Sequence, residues 1–194
     1  QNFSSELAGN LDVLTGGVEA NSEHVFVCSA SGHLLALNQI DGSFAWKASI
    51  SSESLSPPKV DNDLVVVQTI DGKVAGYDAS DGSRRWEYAA KIPPLTLRGT
   101  STPEVYDDIV IAGFSNGRTV FITRDDGLAA YEQIVGVPQG VSDLEKLVDL
   151  DGEIAIENNV LYISGYQGRL VAIDLRAGKI LWEQEASSLV GVSF

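Results

Sequence analysis

A short acidic segment is the first candidate for chemistry in this chain. Asp149, Asp151 and Glu153 occupy alternate positions, so their carboxylates share one face if the segment is extended. Such carboxylates could bind calcium, but a calcium loop needs about six oxygen ligands at regular spacing. The segment lacks a third carboxylate before Gly152 and a distal glutamate. A solvated strand edge is the commonest explanation of such a run, and no metal site is predicted.

The other reactive side chains stand apart from one another in the sequence. His24 and His33 have no cysteine or carboxylate at metal-ligand spacing, which favours a surface role. Cys28 lies inside an apolar run, which predicts a small buried hydrophobic residue. No Ser-His-Asp or Cys-His arrangement is indicated. We therefore predict no catalytic residue and no cofactor.

A second candidate segment, residues 91–99, suggests binding instead of catalysis. It is unusually apolar for a connection, and its paired prolines favour an extended chain that loses little entropy on ordering. Leu95 and Leu97 could fold back onto the core. Alternatively they could offer apolar contact area, with the Arg98 guanidinium as a fork for a carboxylate or carbonyl.

These segments are set in a repeat whose period predicts how they are positioned. Four times an aromatic residue follows a glycine by fourteen positions, in the pairs Gly32 and Trp46, Gly72 and Trp86, Gly117 and Tyr131, and Gly168 and Trp182. Each copy also has a second turn glycine just before the aromatic residue, at Gly42, Gly82, Gly127 and Gly178. Repetition at this period indicates a propeller or solenoid.

Apolar β-branched runs precede each first glycine and predict buried strands at Val25–Cys28, Leu64–Val67, Ile109–Ala112 and Val160–Ile163. Weaker strands are predicted at Gly16–Ala20, Leu55–Val60, Thr100–Val105 and Glu153–Glu157. Four strands per copy is the count of a propeller blade. We predict an all-β propeller with four four-stranded antiparallel blades, at about 12–50, 53–90, 99–135 and 152–186, with 187–194 starting a further blade. The aromatic residue on each fourth strand would fill the joint with the next blade.

The repeat is interrupted twice. Successive first glycines are 40, 45 and 51 positions apart, so two insertions are predicted, at 91–99 and 136–151. Because the repeat serves to build blades, we expect recognition to reside in these insertions.

Composition narrows the possible partners. The chain has 194 residues, of which 44% are apolar and 21% are charged, and no apolar run approaches the length of a membrane span. A net charge of −14 argues against nucleic acid or an anionic lipid surface and favours a basic partner. The chain begins at Gln1 and contains no methionine, from which we expect it to be part of a longer product.

The phrase Ala-x-Asp-x-x-x-Gly-x-x-x-Trp resembles the repeat of pyrroloquinoline-quinone-type propellers, which include quinoprotein dehydrogenases and non-catalytic scaffolds. The chain resembles the BamB family more closely, through Leu14–Val18, Leu95–Gly99 and Ser142–Asp151. The last two stretches are specific because they lie in the insertions. The third copy departs from the repeat at Thr123, in place of the turn aspartate, and at Tyr131, in place of the tryptophan. The second copy has Gly76 where the repeat prefers alanine. The family's signal peptide and lipidated cysteine are not found in this sequence.

This resemblance implies about half of an eight-bladed ring. It also implies a non-catalytic scaffold of the outer-membrane β-barrel assembly machinery, at the periplasmic face of the outer membrane and lipid-anchored in full-length form. The implied partners are the periplasmic (POTRA) domains of BamA, with unfolded outer-membrane proteins as further clients. The residues that match the BamA-binding surface are Leu95, Leu97, Arg98, Asp149 and Asp151.

Two other functions compete with this interpretation. A quinoprotein dehydrogenase would need metal ligands, a carboxylate base and an aromatic residue stacked over the quinone. Here the tryptophans belong to the repeat and there is no vicinal cysteine pair. A generic peptide-binding propeller would share every repeat feature and differ only in the insertions.

Overall fold

The computed structural model describes residues 13–93, 100–136, 150, 154–165 and 169–185. These residues form sixteen strands in four antiparallel four-stranded sheets, and none of them is helical. No helix in this part of the chain could therefore cross a membrane. The predicted fold class, an all-β propeller with four blades, is confirmed.

The strands follow the chain order within each sheet. Blade 1 contains β1 (Leu14–Ala20), β2 (His24–Ser29), β3 (His33–Asn38) and β4 (Phe44–Ser49). Blade 2 contains β5 (Lys59–Asp61), β6 (Leu64–Thr69), β7 (Lys73–Asp78) and β8 (Arg84–Ala89). Blade 3 contains β9 (Glu104–Tyr106), β10 (Ile109–Gly113), β11 (Arg118–Thr123) and β12 (Ala129–Ile134). Blade 4 contains β13 (Ala155–Glu157), β14 (Val160–Ile163), β15 (Arg169–Asp174) and β16 (Lys179–Glu185).

The first strands lie at the centre of the assembly, since β5 contacts both β1 and β9. The first strands of blades 2 to 4 have only three residues each. β5 and β9 begin later than predicted because prolines stand before them, at Pro57, Pro58 and Pro103. A proline has no amide hydrogen to pair with a neighbouring strand.

The core is divided into three clusters, each lying between two neighbouring blades. β6 is buried along its whole length. Because side chains alternate along a strand, Val65 and Val67 pack against blade 1 whereas Leu64 and Val66 pack against blade 3. Each blade is thus stabilised by packing against its neighbours, since each Å² of apolar surface removed from water contributes about 25 cal/mol.

The joint between blades 1 and 2 and the joint between blades 2 and 3 are built on the same kind of tryptophan contact. The Trp46 indole of blade 1 donates a hydrogen bond to the Ala79 carbonyl of blade 2 over 3.1 Å. A Cβ at Gly82 would lie 2.4 Å from Cε3 of the same ring, so the ring needs a glycine there. The Trp86 indole repeats the bond to the Arg124 carbonyl of blade 3 over 2.7 Å and packs on Gly127.

The third joint departs from this pattern. Tyr131 is 44% exposed, whereas Trp46 is 8% exposed. A Cβ at Gly178 would meet nothing within 4 Å, so the turn glycine of blade 4 is not covered by the ring. Phe121 stands opposite Tyr131 on the neighbouring strand, and the centroids of the two rings are 5.5 Å apart. In the other three blades, by contrast, an alanine or a glycine stands opposite the tryptophan. The larger opposite residue leaves less room for an inward ring, which accounts for the difference.

The antiparallel order places the insertions at one end of the blades and the turn between the third and fourth strands at the other. The turn between the third and fourth strands holds the ring contact, and we call this end the joint end. The connection from a fourth strand to the next blade leaves from the other end, which we call the insertion end. At the joint end Arg124 of blade 3 forms ion pairs with Asp61 and Asp63 of blade 2.

Candidate functional site

All five predicted binding residues lie outside the described part of the chain. They are Leu95, Leu97, Arg98, Asp149 and Asp151. The structure does describe the residues that lead into and out of both insertions, and these define where the insertions are anchored.

Hydrogen bonds and packing contacts hold the first insertion where it leaves blade 2. The Ala90 amide donates to the Gly72 carbonyl over 2.9 Å. The side-chain amide of Asn116, on blade 3, donates to the Lys91 carbonyl over 2.9 Å. Ile92 packs over Gly72, where a Cβ would lie 2.7 Å from its Cγ2 atom. The start of the insertion is therefore held by both blades that it connects.

The same insertion returns through a buried network of hydroxyl groups. Thr100 accepts a hydrogen bond from the Leu55 amide over 3.1 Å and donates one to the Ser56 hydroxyl over 3.0 Å. The Ser56 hydroxyl in turn donates to the Ser101 carbonyl over 2.8 Å. Since these groups are buried, each lost partner would leave an unsatisfied polar atom. This return point is consequently fixed in position.

The second insertion is anchored by main-chain bonds and by one leucine. The amides of Val135 and Gly136 both donate to the Gly117 carbonyl, over 2.9 and 3.0 Å. Leu150 is fully buried in the cluster between blades 3 and 4, beside Ile154. The two aspartates in question are the immediate sequence neighbours of this leucine.

The anchors of the two insertions meet at Gly113, the last residue of β10. A Cβ at this position would lie 2.7 Å from the Leu150 carbonyl oxygen and 3.5 Å from the Ser101 Cβ. The Gly113 amide donates to the Ser101 hydroxyl over 3.0 Å. A glycine is required here because any side chain would displace Leu150. The structure thus brings together the bases of two segments that are far apart in the sequence.

The same point carries a buried amide that joins two blades. Gln68 on β6 donates from Nε2 to the Gly113 carbonyl over 2.7 Å and accepts from the Ser101 hydroxyl over 3.0 Å. Sequence reasoning missed these three residues as part of the site. The available signal was Gln68 itself, an amide residue that follows the apolar run Leu64–Val67.

A groove of about 450 Å³ opens beside the start of the first insertion. Its polar lining centres on Glu132, which accepts from Arg118 over 3.0 Å and from the Tyr88 hydroxyl over 3.3 Å. Burial, and after it the Glu132 carboxylate, raises the pKa of Tyr88. The side chains of Arg118, Glu132 and Tyr88 are thus paired with one another in this groove.

The two histidines and the cysteine all lie in blade 1, on β2 and β3. No three His, Cys, Asp or Glu residues in the described ranges cluster at distances suited to a metal ion. His24 and His33 begin different strands, β2 and β3. Cys28 is fully buried, as predicted, and burial raises the pKa of its thiol to about 12.

Comparison with known proteins places this geometry in a family. The family model described as outer membrane protein assembly factor BamB matches residues 3–194. The protein of that name from Yersinia pestis is 35% identical over 177 residues, which cover 91% of this chain and 45% of the relative. The chain therefore spans about half the length of the curated relatives it matches.

Solved structures agree with that assignment. The crystal structure of BamB from Moraxella catarrhalis superposes with a TM-score of 0.88 at 30% identity, over 93% of this chain and 55% of that chain. A europium-containing methanol dehydrogenase gives a TM-score of 0.72 at 16% identity, over 90% of this chain and 42% of that chain, a likeness of fold alone. The repeat, the four blades and the family match lead to one conclusion: the chain belongs to the BamB family of outer membrane protein assembly factors.

Proposed function

We propose that this chain is a non-catalytic scaffold of outer-membrane protein assembly, which binds the periplasmic domain of BamA through its two insertions. The binding surface consists of Leu95, Leu97, Arg98, Asp149 and Asp151, which we call the insertion patch. It acts at the periplasmic face of the outer membrane, where the full-length protein is lipid-anchored. It supports the folding and insertion of outer-membrane proteins, which are its further clients.

The observation that carries this proposal is the meeting of both anchors at Gly113. Ser101 and Leu150 both lie against this glycine. Arg98 precedes Ser101 by three residues, and Asp149 and Asp151 are bonded to Leu150 on either side. Successive Cα atoms are about 3.8 Å apart, so short tethers connect the patch residues to one common point. This supports a single surface made from two insertions.

The composition of the insertion patch suits a protein partner. Leu95 and Leu97 supply apolar contact area, and Arg98 is of a residue type enriched among the contacts that dominate binding energy. Arg98 and the two aspartates carry opposite charges, which orient the partner and disfavour incorrect ones. The joint end, with its buried rings and ion pairs, is occupied by contacts between blades and is left out of this surface.

The test measures binding of this chain to the periplasmic domain of BamA. We expect Leu97→Ala and Arg98→Ala each to weaken binding by about 10-fold or more, the effect of losing a central contact. Asp149→Asn with Asp151→Asn should slow association and reduce its dependence on salt. Thermal unfolding of each variant should match that of the wild type.

Matched controls come from blades 3 and 4. Leu128→Ala removes an exposed leucine, Arg176→Ala an exposed arginine and Asp125→Asn an exposed aspartate, all in joint-end turns. These variants should bind as the wild type does. Normal binding by folded Leu97→Ala and Arg98→Ala variants would contradict the proposed location of the surface. A thermal shift on adding quinone and calcium would favour the dehydrogenase alternative.

A further inference from the structure

The joint between blades 3 and 4 lacks the ring that fills the two joints before it. In those joints an indole covers a turn glycine, and both glycines, Gly82 and Gly127, are buried. Gly178 holds the same place in blade 4 but is exposed, and in the described part of the chain a Cβ there would meet nothing within 4 Å. Blades 3 and 4 already pack on one another, so this opening lies inside an assembled joint.

The turn of blade 4 has the backbone that receives an indole elsewhere. The Gly178 amide donates to the Asp174 carbonyl over 2.8 Å, and the Gly82 amide makes the equivalent bond over 2.9 Å. The φ of Gly178 is +62°, close to the +74° of Gly82. Leu175, three residues before Gly178, therefore presents its carbonyl where Ala79 presents the acceptor for the blade 1 indole.

Blade 3 does not fill the opening with its own ring. The Tyr131 hydroxyl donates to the side-chain oxygen of Gln133 over 2.6 Å. Since β12 runs from the joint end to the insertion end, this bond directs the ring away from the turn of blade 4. The tyrosine thus bonds within its own strand, whereas each buried tryptophan bonds to the next blade.

The two sides of the opening are apolar. Tyr131 stands opposite Phe121, and Ile180 stands opposite Ile173. Phe121 and Ile173 both pack in the cluster between blades 3 and 4. Residues directly opposite one another in an antiparallel pair share a face, so Tyr131 and Ile180 lie on the surfaces that face each other across this joint. They are 44% and 38% exposed, which leaves apolar area available for contact.

We propose that this opening binds the tryptophan side chain of an extended segment of another polypeptide. We call it the ring slot, bounded by Gly178, the Leu175 carbonyl, Tyr131 and Ile180. The bound indole lies on Gly178 and donates its N–H to the Leu175 carbonyl. The occupant is a tryptophan because the same turn backbone holds an indole twice in this chain, and each time contributes only a glycine and a main-chain oxygen.

The tryptophans of the chain itself are engaged elsewhere. The chain has three, of which Trp46 and Trp86 fill the other joints. Trp182 stands opposite Ala172, the neighbour of Ile173 on β15, so it lies on the face of blade 4 that is turned away from blade 3. The ring must therefore come from another segment.

Unfolded outer-membrane proteins are a suitable source of such a segment. Their barrel strands carry aromatic residues in girdles at both membrane interfaces. This choice of source rests on the proposed function, because these proteins are its further clients. The ring slot itself rests on the joint geometry and does not involve the insertion patch.

The test is a titration of the isotope-labelled chain with a short peptide, followed by NMR. The peptide has the alternating pattern of a barrel strand and a single tryptophan. We expect the amide resonances of residues 175–178 to move on binding. The same peptide with leucine in place of tryptophan should bind about 10-fold more weakly or less, because it lacks the indole donor and much of the ring area. Equal binding of the two peptides, or no change at Gly178, would overturn the proposal.

Single substitutions test the slot residues. Gly178→Ala adds a methyl group where the ring would lie and should abolish binding of the tryptophan peptide. Ile180→Ser removes one apolar side and should weaken it. Leu181→Ser removes the neighbouring exposed leucine, which is not part of the ring slot, and this control should bind normally.

A double variant tests whether the chain can fill its own slot. Phe121→Ala combined with Tyr131→Trp places an alanine opposite a tryptophan, as Ala36 stands opposite Trp46 in blade 1. We expect the new indole to cover Gly178 and exclude the peptide, with no loss of stability in urea. Binding at the wild-type level by this variant and by folded Gly178→Ala would contradict the inference. Gly178→Ala should still bind the periplasmic domain of BamA, so failure of the peptide experiment leaves the insertion patch unaffected.

Discussion

Gln68 of blade 2 donates a hydrogen bond to the Gly113 carbonyl of blade 3 over 2.7 Å, inside the joint between these blades. The bond is buried, and Ser101 links the same two residues through its hydroxyl group. A polar network in this position fixes the relative placement of two blades and of the residues that return from the first insertion. Its energetic weight can be measured.

We expect Gln68→Ala to lower the free energy of unfolding by about 1–3 kcal/mol, because the Gly113 carbonyl and the Ser101 hydroxyl each lose one buried hydrogen-bond partner. Urea denaturation measures this change. Gln133→Ala is the matched control. The side-chain amide of Gln133 donates a hydrogen bond to the adjacent Ile134 carbonyl, within the outer strand β12 and not between blades. Equal effects from the two substitutions would show that the buried network contributes little.

Gly82 and Gly178 share a positive φ but differ in what surrounds them, with φ values of +74° and +62°. Gly178→Ala should cost only the strain of a left-handed alanine, about 1–2 kcal/mol. Gly82→Ala should cost about 1–3 kcal/mol more, because the methyl group would overlap the Trp46 ring. The two variants are compared by urea denaturation. A difference near zero would mean that the ring moves aside without loss.

The stability of the joint end should depend on acid through Asp78. Hydrogen bonds from Arg85, and then from Ser80, lower the pKa of Asp78 from 3.8 to about 2 in the folded chain. Because the folded pKa is the lower one, the contribution is complete above pH 3.8 and is lost as the pH falls towards 2. Asp63 acts in the same direction, since Arg124 and Arg85 lower its pKa.

Asp78→Asn should therefore flatten the fall in stability between pH 4 and 2, relative to the wild type. Arg85→Gln should flatten it in a similar way, since it removes the main cause of the shift. Denaturant titrations at a series of pH values give the slopes. An unchanged slope in both variants would mean that other carboxylates dominate acid unfolding.

The thiol of Cys28 should report opening of the first joint. It is fully buried, and burial raises its pKa to about 12, so little reactive thiolate is present near neutral pH. We expect a thiol reagent to leave the native chain unmodified and to label one group per chain after unfolding, because the chain has a single cysteine. Rapid labelling of the native protein would contradict the tight packing between blades 1 and 2.

The sequence predicts the blades well because their signals are local. The first glycine, the second turn and the aromatic residue of each copy lie in two consecutive hairpins, so their spacing predicts the second, third and fourth strands of the blade. Strands β5 and β9 begin later than predicted because Pro57, Pro58 and Pro103 remove pairing donors, a local feature that could have been used.

Contacts between blades were harder to predict because they join residues that are distant in the chain. The exposure of Tyr131 depends on Phe121 opposite and on the turn of blade 4, which a repeat pattern does not compare. Gln68 and Gly113 are 45 positions apart, and nothing in either neighbourhood indicates the other. The insertion patch was inferred from family resemblance, and its five residues lie outside the described ranges.

The joint between blades places few sequence requirements on the turn that receives the tryptophan. It uses a glycine and a main-chain oxygen, and the intervening residues differ freely, Ser80 and Asp81 in one blade and Asp125 and Asp126 in the next. Such a connector is generic: a duplicated blade arrives already compatible with its new neighbour. Propellers assembled in this way can gain or exchange units by gene duplication without redesign of either partner, while the loops at the opposite end diverge towards new tasks.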